Sequence, residues 1–241
     1  MPAFIRTLLQ AIIGLAVVGL IWVIAALLVG DPVRLPPLGA VVAKAIELAP
    51  SDDYWRHVVE SGTALLLGLG PALVAGVLLG AIARLSSGMR WLIGPLAVAL
   101  AAAPLVVLVP AFVLWWGLTI TTKAVAVFVV ALFPIMNMVM VGAGATRHHA
   151  YPAVDDEKPL PASGGGTARA IFCGLRLGVV FGMTALIVCE FMASTRGVGY
   201  FIMNSASMFD TTAMMAGVVL VAVPTVLVVA LLQAIEEQIA A

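Results

Sequence analysis

The longest charge-free run of the sequence, 91-WLIGPLAVALAAAPLVVLVPAFVLWWGLTITT-122, decides the class of protein. A helix needs about 20 apolar residues to cross the hydrocarbon core of a bilayer, so this run is longer than one crossing requires. We expect a kinked helix that ends in an apolar turn at Trp115-Trp116-Gly117, because prolines interrupt the run. These prolines are Pro95, Pro104 and Pro110.

The composition of the whole chain agrees with a membrane protein. Of its 241 residues 63% are hydrophobic and 10% are charged, and its mean hydropathy is +1.17. A soluble domain carries about a quarter charged residues, so this chain has too few charges to cover a surface that faces water. Its formal net charge of zero gives no electrostatic reason to expect a nucleic-acid partner.

Charge-poor runs elsewhere extend the prediction to an all-α integral membrane protein with six transmembrane helices in a single domain, residues 1–241. The first run is too long for a signal peptide and lacks a convincing cleavage site, so we expect it to be retained as a span. Six spans place both termini on one side, and a slight excess of Arg and Lys favours the cytoplasm. The predicted spans lie near residues 7–30, 61–83, 91–116, 124–145, 168–195 and 211–235.

The segment between the first two spans predicts a short amphipathic helix. Apolar residues recur at helical spacing from Leu38 to Ile46, and Lys44 and Glu47 lie on the opposite face. Such a helix could lie on the membrane surface or pack on the outer face of the protein itself.

Glu190 is the main candidate functional residue because it lies late in the fifth predicted span, in ALIVCEFMAS. A carboxylate at membrane depth is costly and is by default a hypothesis of function. It could line a pathway or fix a gate. The structural alternatives are an ion pair with Arg196 and a hydrogen bond to the turn that follows.

The stretch 197-GVGYFIMNSASMFDT-211 is apolar but too short to span a membrane. It could enter the membrane edge as a re-entrant segment where protein covers it. Asp210 at its end is a candidate N-cap for the last helix.

No catalytic or metal-binding constellation is present in the sequence. His57 and Glu60 are spaced as a metal pair, but two ligands without a third are more typical of polar residues at a span entrance. Arg147-His148-His149 suits a helix end at the lipid headgroups. The sequence contains no phosphate-binding Gly-x-x-x-x-Gly-Lys-Ser/Thr and no nucleophile elbow. We therefore expect no enzyme activity, no cofactor and no metal in this chain.

Four stretches resemble the permease subunits of bacterial ABC importers of the nitrate, taurine, sulfonate and bicarbonate group. In the second of them Pro104, Pro110, Trp115 and Gly117 occupy places comparable to the proline-rich run of that family. The similarity extends over most of the chain. The first three stretches are residues 35–49, 54–118 and 131–144. The fourth consists of two pieces, residues 174–178 within the fifth predicted span and residues 189–220, which begin near the end of that span.

This resemblance implies the type I importer permease fold and a set of partners. They are an ABC ATPase dimer that binds ATP and Mg²⁺, a second permease subunit, a periplasmic or lipid-anchored solute-binding protein, and membrane lipid. The implied location is the bacterial inner membrane, and the implied function is half of a translocation path for a small, anionic solute. As lining or gate residues we predict Trp115, Trp116, Asn137, Met138 and Glu190.

The loop 146–167 departs from this family. The family carries Glu-Ala-Ala and a coupling helix there that docks on the ATPase, whereas this loop has no Glu-Ala-Ala. Pro159 disfavours helix at the preceding residue, and Gly164-Gly165-Gly166 predicts a flexible joint. The residues left to contact an ATPase are Asp155, Asp156, Glu157, Lys158, Leu160 and Pro161.

Two interpretations follow from the altered loop. The first is an importer permease whose second subunit is either a second copy of this chain or, as we favour, a paralogue with an intact coupling segment. The alternative is a membrane scaffold subunit that derives from such a permease and transports nothing.

Overall fold

The computed structural model describes residues 3–85, 87–142 and 165–240. All regular structure within these ranges is helical, with a short 3-10 turn at Leu105–Leu108 before α5. The helices are α1 (Ala3–Val29), α2 (Leu38–Leu48), α3 (Asp52–Leu85), α4 (Ser87–Ala102), α5 (Val109–Trp116), α6 (Ile120–Val141), α7 (Gly165–Met192), α8 (Val198–Ser207) and α9 (Thr211–Ala240).

Five of these helices are long and apolar enough to cross a membrane, namely α1, α3, α6, α7 and α9. A sixth crossing results if the broken pair α4 and α5, bent by 80°, counts as one span. The predicted fold class, an all-α integral membrane protein, is confirmed. The bend lies at Pro104, between Ala102 and Leu105, and Gly117 with φ of 70° ends α5 before the turn into α6.

Helix α6 lies between α3 and α7, and glycines on both neighbours allow the close approach. A Cβ added to Gly76 of α3 would lie 2.8 Å from Ile135 of α6, and one added to Gly178 of α7 would lie 2.7 Å from the same side chain. Membrane helices have little hydrophobic drive to associate, so small residues that let backbones pack closely supply much of the attraction. Ile135 is fully buried between them.

The directions of the helices define two ends of the bundle. Helices α3 and α6 begin where α7 ends, and we name this the Lys123 end after the lysine in the first turn of α6. At the opposite end, Glu236 late in α9 lies 3.5 Å from both Arg169 and Arg176 early in α7. We name this the Glu236 end.

The short helices α2 and α8 pack on the Lys123 end of α9. Val41 and Ala45 of α2 are buried with Ala216 of α9, whereas Ile46 on the other face is 68% exposed. The structure therefore places α2 on the protein itself. Asp210 accepts a hydrogen bond from the Ala213 amide at 2.9 Å, which confirms it as the N-cap of α9.

The start of α7 corrects one expectation about the loop before it. Gly165 and Gly166 are helical, so the flexible joint predicted for Gly164-Gly165-Gly166 is wrong for two of its three glycines. The predicted coupling residues, which are Asp155, Asp156, Glu157, Lys158, Leu160 and Pro161, lie outside the described residues.

Candidate functional site

A buried polar cluster joins three helices to the α7–α8 turn at the Lys123 end. Ser61 comes from α3, Lys123 from α6 and Glu190 from the last turn of α7. With Glu60 and the turn residues 196–199 these side chains form what we name the Glu190 cluster. It lies among helices that are otherwise apolar, so its polar contacts have few alternative partners.

Glu190 is 1% exposed. The Ser61 hydroxyl lies 2.7 Å and 2.9 Å from its two carboxylate oxygens, and the Gly199 amide donates to one of them at 2.8 Å. The Lys123 ammonium is 3.5 Å from the other. A buried carboxylate with these donors is held in one orientation.

Lys123 is the counter-ion of the cluster, and it is 2% exposed. Its Nζ donates to the carbonyl oxygen of Arg196 at 2.6 Å and to Glu60 at 3.1 Å. Arg196 contributes only this backbone oxygen, because its side chain is exposed. Two structural alternatives for Glu190 were a hydrogen bond to the following turn and an ion pair with Arg196. The hydrogen bond is present, but Glu190 pairs with Lys123 rather than with Arg196.

The α7–α8 turn is fixed through its backbone amides. Val198 donates to the Ser61 hydroxyl at 2.8 Å, and Gly197 donates to Nδ1 of His57 at 3.1 Å. Gly197 has a φ of 124°, a conformation that L side chains rarely adopt, and an added Cβ would collide with the carboxylate of Glu190. The turn and the carboxylate are therefore packed directly on each other.

Of His57 and Glu60, the possible metal pair of the sequence, Glu60 belongs to this cluster and His57 borders it. His57 accepts from the Gly197 amide, and Glu60 pairs with Lys123. Among the residues that the structure describes, no group of three or more His, Cys, Asp or Glu could hold a metal ion. Both side chains have structural partners in α6 and the α7–α8 turn.

The predicted path residues fall into two groups. Trp115 and Trp116 lie at the Lys123 end, with ring centroids 5.6 Å apart, and both are close to Phe112. They are 68% and 42% exposed, whereas Glu190 is buried. Phe112 packs in one cluster with Cys189, next to Glu190, so these residues belong to one region of the bundle.

Asn137 and Met138 lie on α6 about 21 Å from Lys123 along the helix axis, at the rise of an α-helix. Asn137 is 8% exposed, and its Oδ1 has no hydrogen-bond partner among the described residues. Met138 contacts Cys173 of α7 through the two sulfur atoms at 3.7 Å. The five predicted residues therefore do not form one continuous surface within this chain.

An apolar cavity of about 470 Å³ opens between α3, α7 and α9 next to the Glu190 cluster. Leu65, Met183 and Pro224 line it, and Ser61 forms part of its wall. Glu190 is not among the residues that line this cavity.

Sequence reasoning missed Lys123 as a member of the site. A lysine between two charge-free runs predicts a loop, yet α6 begins at Ile120 and includes it. The available signal was Glu190 itself, because a carboxylate buried in a membrane needs a positive partner.

Comparison with known proteins gives relatives of one functional kind, although no family model matches the chain. The taurine transport system permease protein of Escherichia coli is 25% identical, over 84% of this chain and 78% of its own. The formylaminopyrimidine transport permease protein of Halalkalibacterium halodurans is 27% identical, over 79% of this chain and 78% of its own.

A third relative extends the same pattern. The putative aliphatic sulfonates transport permease protein of Bacillus subtilis is 27% identical, over 86% of this chain and 78% of its own. All three cover most of both chains, and the helices that could span a membrane lie within an all-α architecture. The resemblance read from the sequence is therefore confirmed: the chain is a multi-pass membrane protein related to the permease subunits of ABC importers.

Proposed function

We propose that this chain is the transmembrane subunit of an ATP-driven importer and forms half of the translocation path for a small solute. The observation that carries the proposal is the similarity to transport permeases over about 80% of the chain. The broken span and the polar cluster at one end of a tightly packed helix pair support a path and a gate at the Lys123 end. The location that follows is the bacterial inner membrane, with both termini in the cytoplasm.

The energy for transport comes, in this proposal, from partner subunits. The chain has no phosphate-binding motif, so an ABC ATPase dimer binds ATP and Mg²⁺ and hydrolyses the nucleotide. A second permease subunit, a paralogue with an intact coupling segment, completes the path. An external binding protein, periplasmic or lipid-anchored, delivers the solute.

The solute is proposed to be a small organic anion of the sulfonate class. Two relatives carry taurine or aliphatic sulfonates in their names, which supports this class, and a third carries formylaminopyrimidine. The direct test is uptake into proteoliposomes that contain the purified complex and binding protein, with labelled taurine, ethanesulfonate and formylaminopyrimidine as probes. ATP-dependent uptake of taurine or ethanesulfonate supports the proposal. ATP-dependent uptake of formylaminopyrimidine alone contradicts the solute class, and ATP-independent leakage of all three contradicts the importer.

The roles of the path residues are part of the proposal. The burial of Glu190 favours a residue that fixes a gate over one that contacts solute in this conformation. Trp115 and Trp116 are proposed to line the path near that gate, and their exposure supports this role. Asn137 and Met138 are proposed to lie along the path closer to the Glu236 end.

The alternative function, a scaffold subunit that transports nothing, is favoured by one observation. The loop 146–167 lacks the Glu-Ala-Ala of the family, and Pro159 and Pro161 oppose a continuous helix there. Cysteines introduced at Asp155 to Lys158 and cross-linked in native membranes would distinguish the two functions. Cross-links to an ATPase support the importer, and cross-links to other membrane proteins alone support the scaffold.

A further inference from the structure

We propose that Lys123 is a positioning residue that fixes the α7–α8 turn to α3 and α6 and so holds the gate region as one rigid body. The relatives' names and the sequence motifs assign nothing to this lysine. The transport consequence rests on the proposed function, whereas the structural consequence does not.

The first step in the argument is the match between donors and acceptors. An ammonium group has three N–H donors and no acceptor. Three oxygens surround Nζ of Lys123: the Arg196 carbonyl at 2.6 Å, Glu60 at 3.1 Å and Glu190 at 3.5 Å. They belong to the turn, to α3 and to α7, so a single side chain of α6 joins three other elements.

The second step is the position of Lys123 in its own helix. It lies in the first turn of α6, which begins at Ile120. A cation there faces the positive end of the helix dipole, which is unfavourable. Its near-complete burial adds a desolvation cost. Both costs are tolerable because two carboxylates and a carbonyl oxygen converge on it, so the site is built around a positive charge.

The third step connects Lys123 to the neighbouring turn. Thr122, the preceding residue, donates its hydroxyl to the carbonyl of Gly117 at 2.6 Å, and Thr119 donates to the carbonyl of Trp116 at 3.0 Å. The start of α6 therefore holds the α5–α6 turn on one side and the α7–α8 turn on the other. Trp116 and Glu190 are positioned by the same helix end.

Hydrogen–deuterium exchange on the purified protein tests this role without transport. In the wild type the amides of Gly197, Val198 and Gly199 donate to side chains of α3 and α7. With Lys123→Met we expect the peptide covering residues 194–201 to exchange at least about tenfold faster, because opening of the turn no longer breaks the ammonium contacts. Unchanged exchange in that peptide would overturn the proposal.

Two matched variants show that the effect belongs to this lysine. Lys44 also pairs with a carboxylate, Glu47 at 2.8 Å, but on the partly exposed helix α2, so Lys44→Met should leave the turn peptide unchanged. Lys123→Arg keeps the charge and should restore part of the protection. If the turn peptide exchanges as fast in Lys123→Arg as in Lys123→Met, the positive charge at this position is not what holds the turn, and the proposal fails.

A double variant keeps the proposal testable if Lys123→Met fails to fold. The single change leaves Glu190 buried without its cation, which is strongly destabilising, and a second change to Gln removes that charge. If Lys123→Met alone gives no monodisperse size-exclusion profile in detergent, we expect Lys123→Met/Glu190→Gln to recover one. A double variant no better folded than the single one would contradict the direct coupling of the two residues.

The transport readout separates this inference from the proposed function. In proteoliposomes we expect Lys123→Met to lower the maximal uptake rate of labelled taurine or ethanesulfonate about tenfold, and to leave the half-saturating concentration within about twofold. If wild-type vesicles take up neither probe, the proposed solute class fails while the exchange experiment still decides the role of Lys123. Unchanged maximal uptake beside accelerated exchange would confine Lys123 to a structural role.

Discussion

Burying a charged carboxylate such as that of Glu190 among membrane helices costs free energy, yet its surroundings accommodate it. It is buried, and Ser61, the Gly199 amide and Lys123 supply its hydrogen bonds and charge. Charge-assisted hydrogen bonds are about twice as strong as neutral ones, so the negative charge itself is what the surrounding donors recognise.

Replacement of Glu190 by Gln tests that recognition. The side chain keeps its size, but it loses one acceptor oxygen and the attraction of Lys123, so we expect uptake to fall about tenfold with assembly intact. Proteoliposome uptake and co-purification of the partner subunits measure the two effects. Glu47→Gln, at an exposed side chain of α2, is the control. Normal uptake in the Glu190 variant would show that Glu190 is a structural residue and not part of the gate.

Gly197 gives a second prediction at the residue scale. Its φ of 124° and its contact with the Glu190 carboxylate leave no room for a side chain. Gly197→Ala should destabilise the protein by about 1–3 kcal/mol through backbone strain and displacement of the carboxylate. Gly62→Ala is the matched control, because nothing lies within 4 Å of its added Cβ. Thermal unfolding in detergent measures both, and equal midpoints would contradict the packing described at the turn.

At the scale of the helices, close packing of α3 on α6 positions Ser61 against Glu190 and Lys123. Gly76 and Gly70 lie on the same helix, but only Gly76 faces α6, with Ile135 2.8 Å from an added Cβ. A side chain there must push the two helices apart, and overpacking of this kind costs about 1–3 kcal/mol.

The prediction from this packing compares Gly76→Leu with Gly70→Leu. We expect the first to lower the unfolding midpoint and to increase exchange at the α7–α8 turn, because Ser61 moves away from its partners. The second should leave both unchanged, since Gly70 has open space beside it. Thermal unfolding and hydrogen–deuterium exchange measure the pair, and equal behaviour of the two variants would mean that the α3–α6 contact does not position the site.

The sequence predicted the helical elements well and their ends less well, for a physical reason. Hydropathy reports the average environment along a helix, so it found the apolar crossings and the interrupted run with Pro104. It does not report which charges pair across helices. The predicted spans 61–83 and 124–145 therefore leave out Tyr54, His57 and Glu60, which lie within α3, and Lys123, which lies within α6.

At the scale of the whole molecule, the helix directions make a prediction about topology. If α4 and α5 form one crossing, the described chain crosses six times, so the start of α1 and the end of α9 lie on the same side. Alkaline phosphatase fused after Ala241 should then be inactive and a fluorescent protein fused there should fluoresce, as expected for a cytoplasmic C-terminus. A fusion after Asp31 serves as the control with the opposite result, and phosphatase activity at the C-terminus would contradict the proposed orientation.

The candidate site was only partly predictable at this scale. Glu190 could be chosen from the sequence because a lone carboxylate in an apolar helix is conspicuous. Its partners come from α3, α6 and the α7–α8 turn, with Ser61 far from it in the chain, so no local pattern connects them. The altered loop before α7 raises the question that matters for the whole complex, which is whether this subunit works with an ATPase.

Affinity purification of the tagged chain from its native membrane, followed by quantitative mass spectrometry, tests the central claim most directly. The account predicts that an ABC ATPase and a paralogous permease co-purify with the chain. The molar amount of ATPase should equal that of the two permease subunits taken together. Recovery of the chain without any ATPase, from membranes in which a control importer retains its own, would contradict an ATP-driven importer and leave the scaffold.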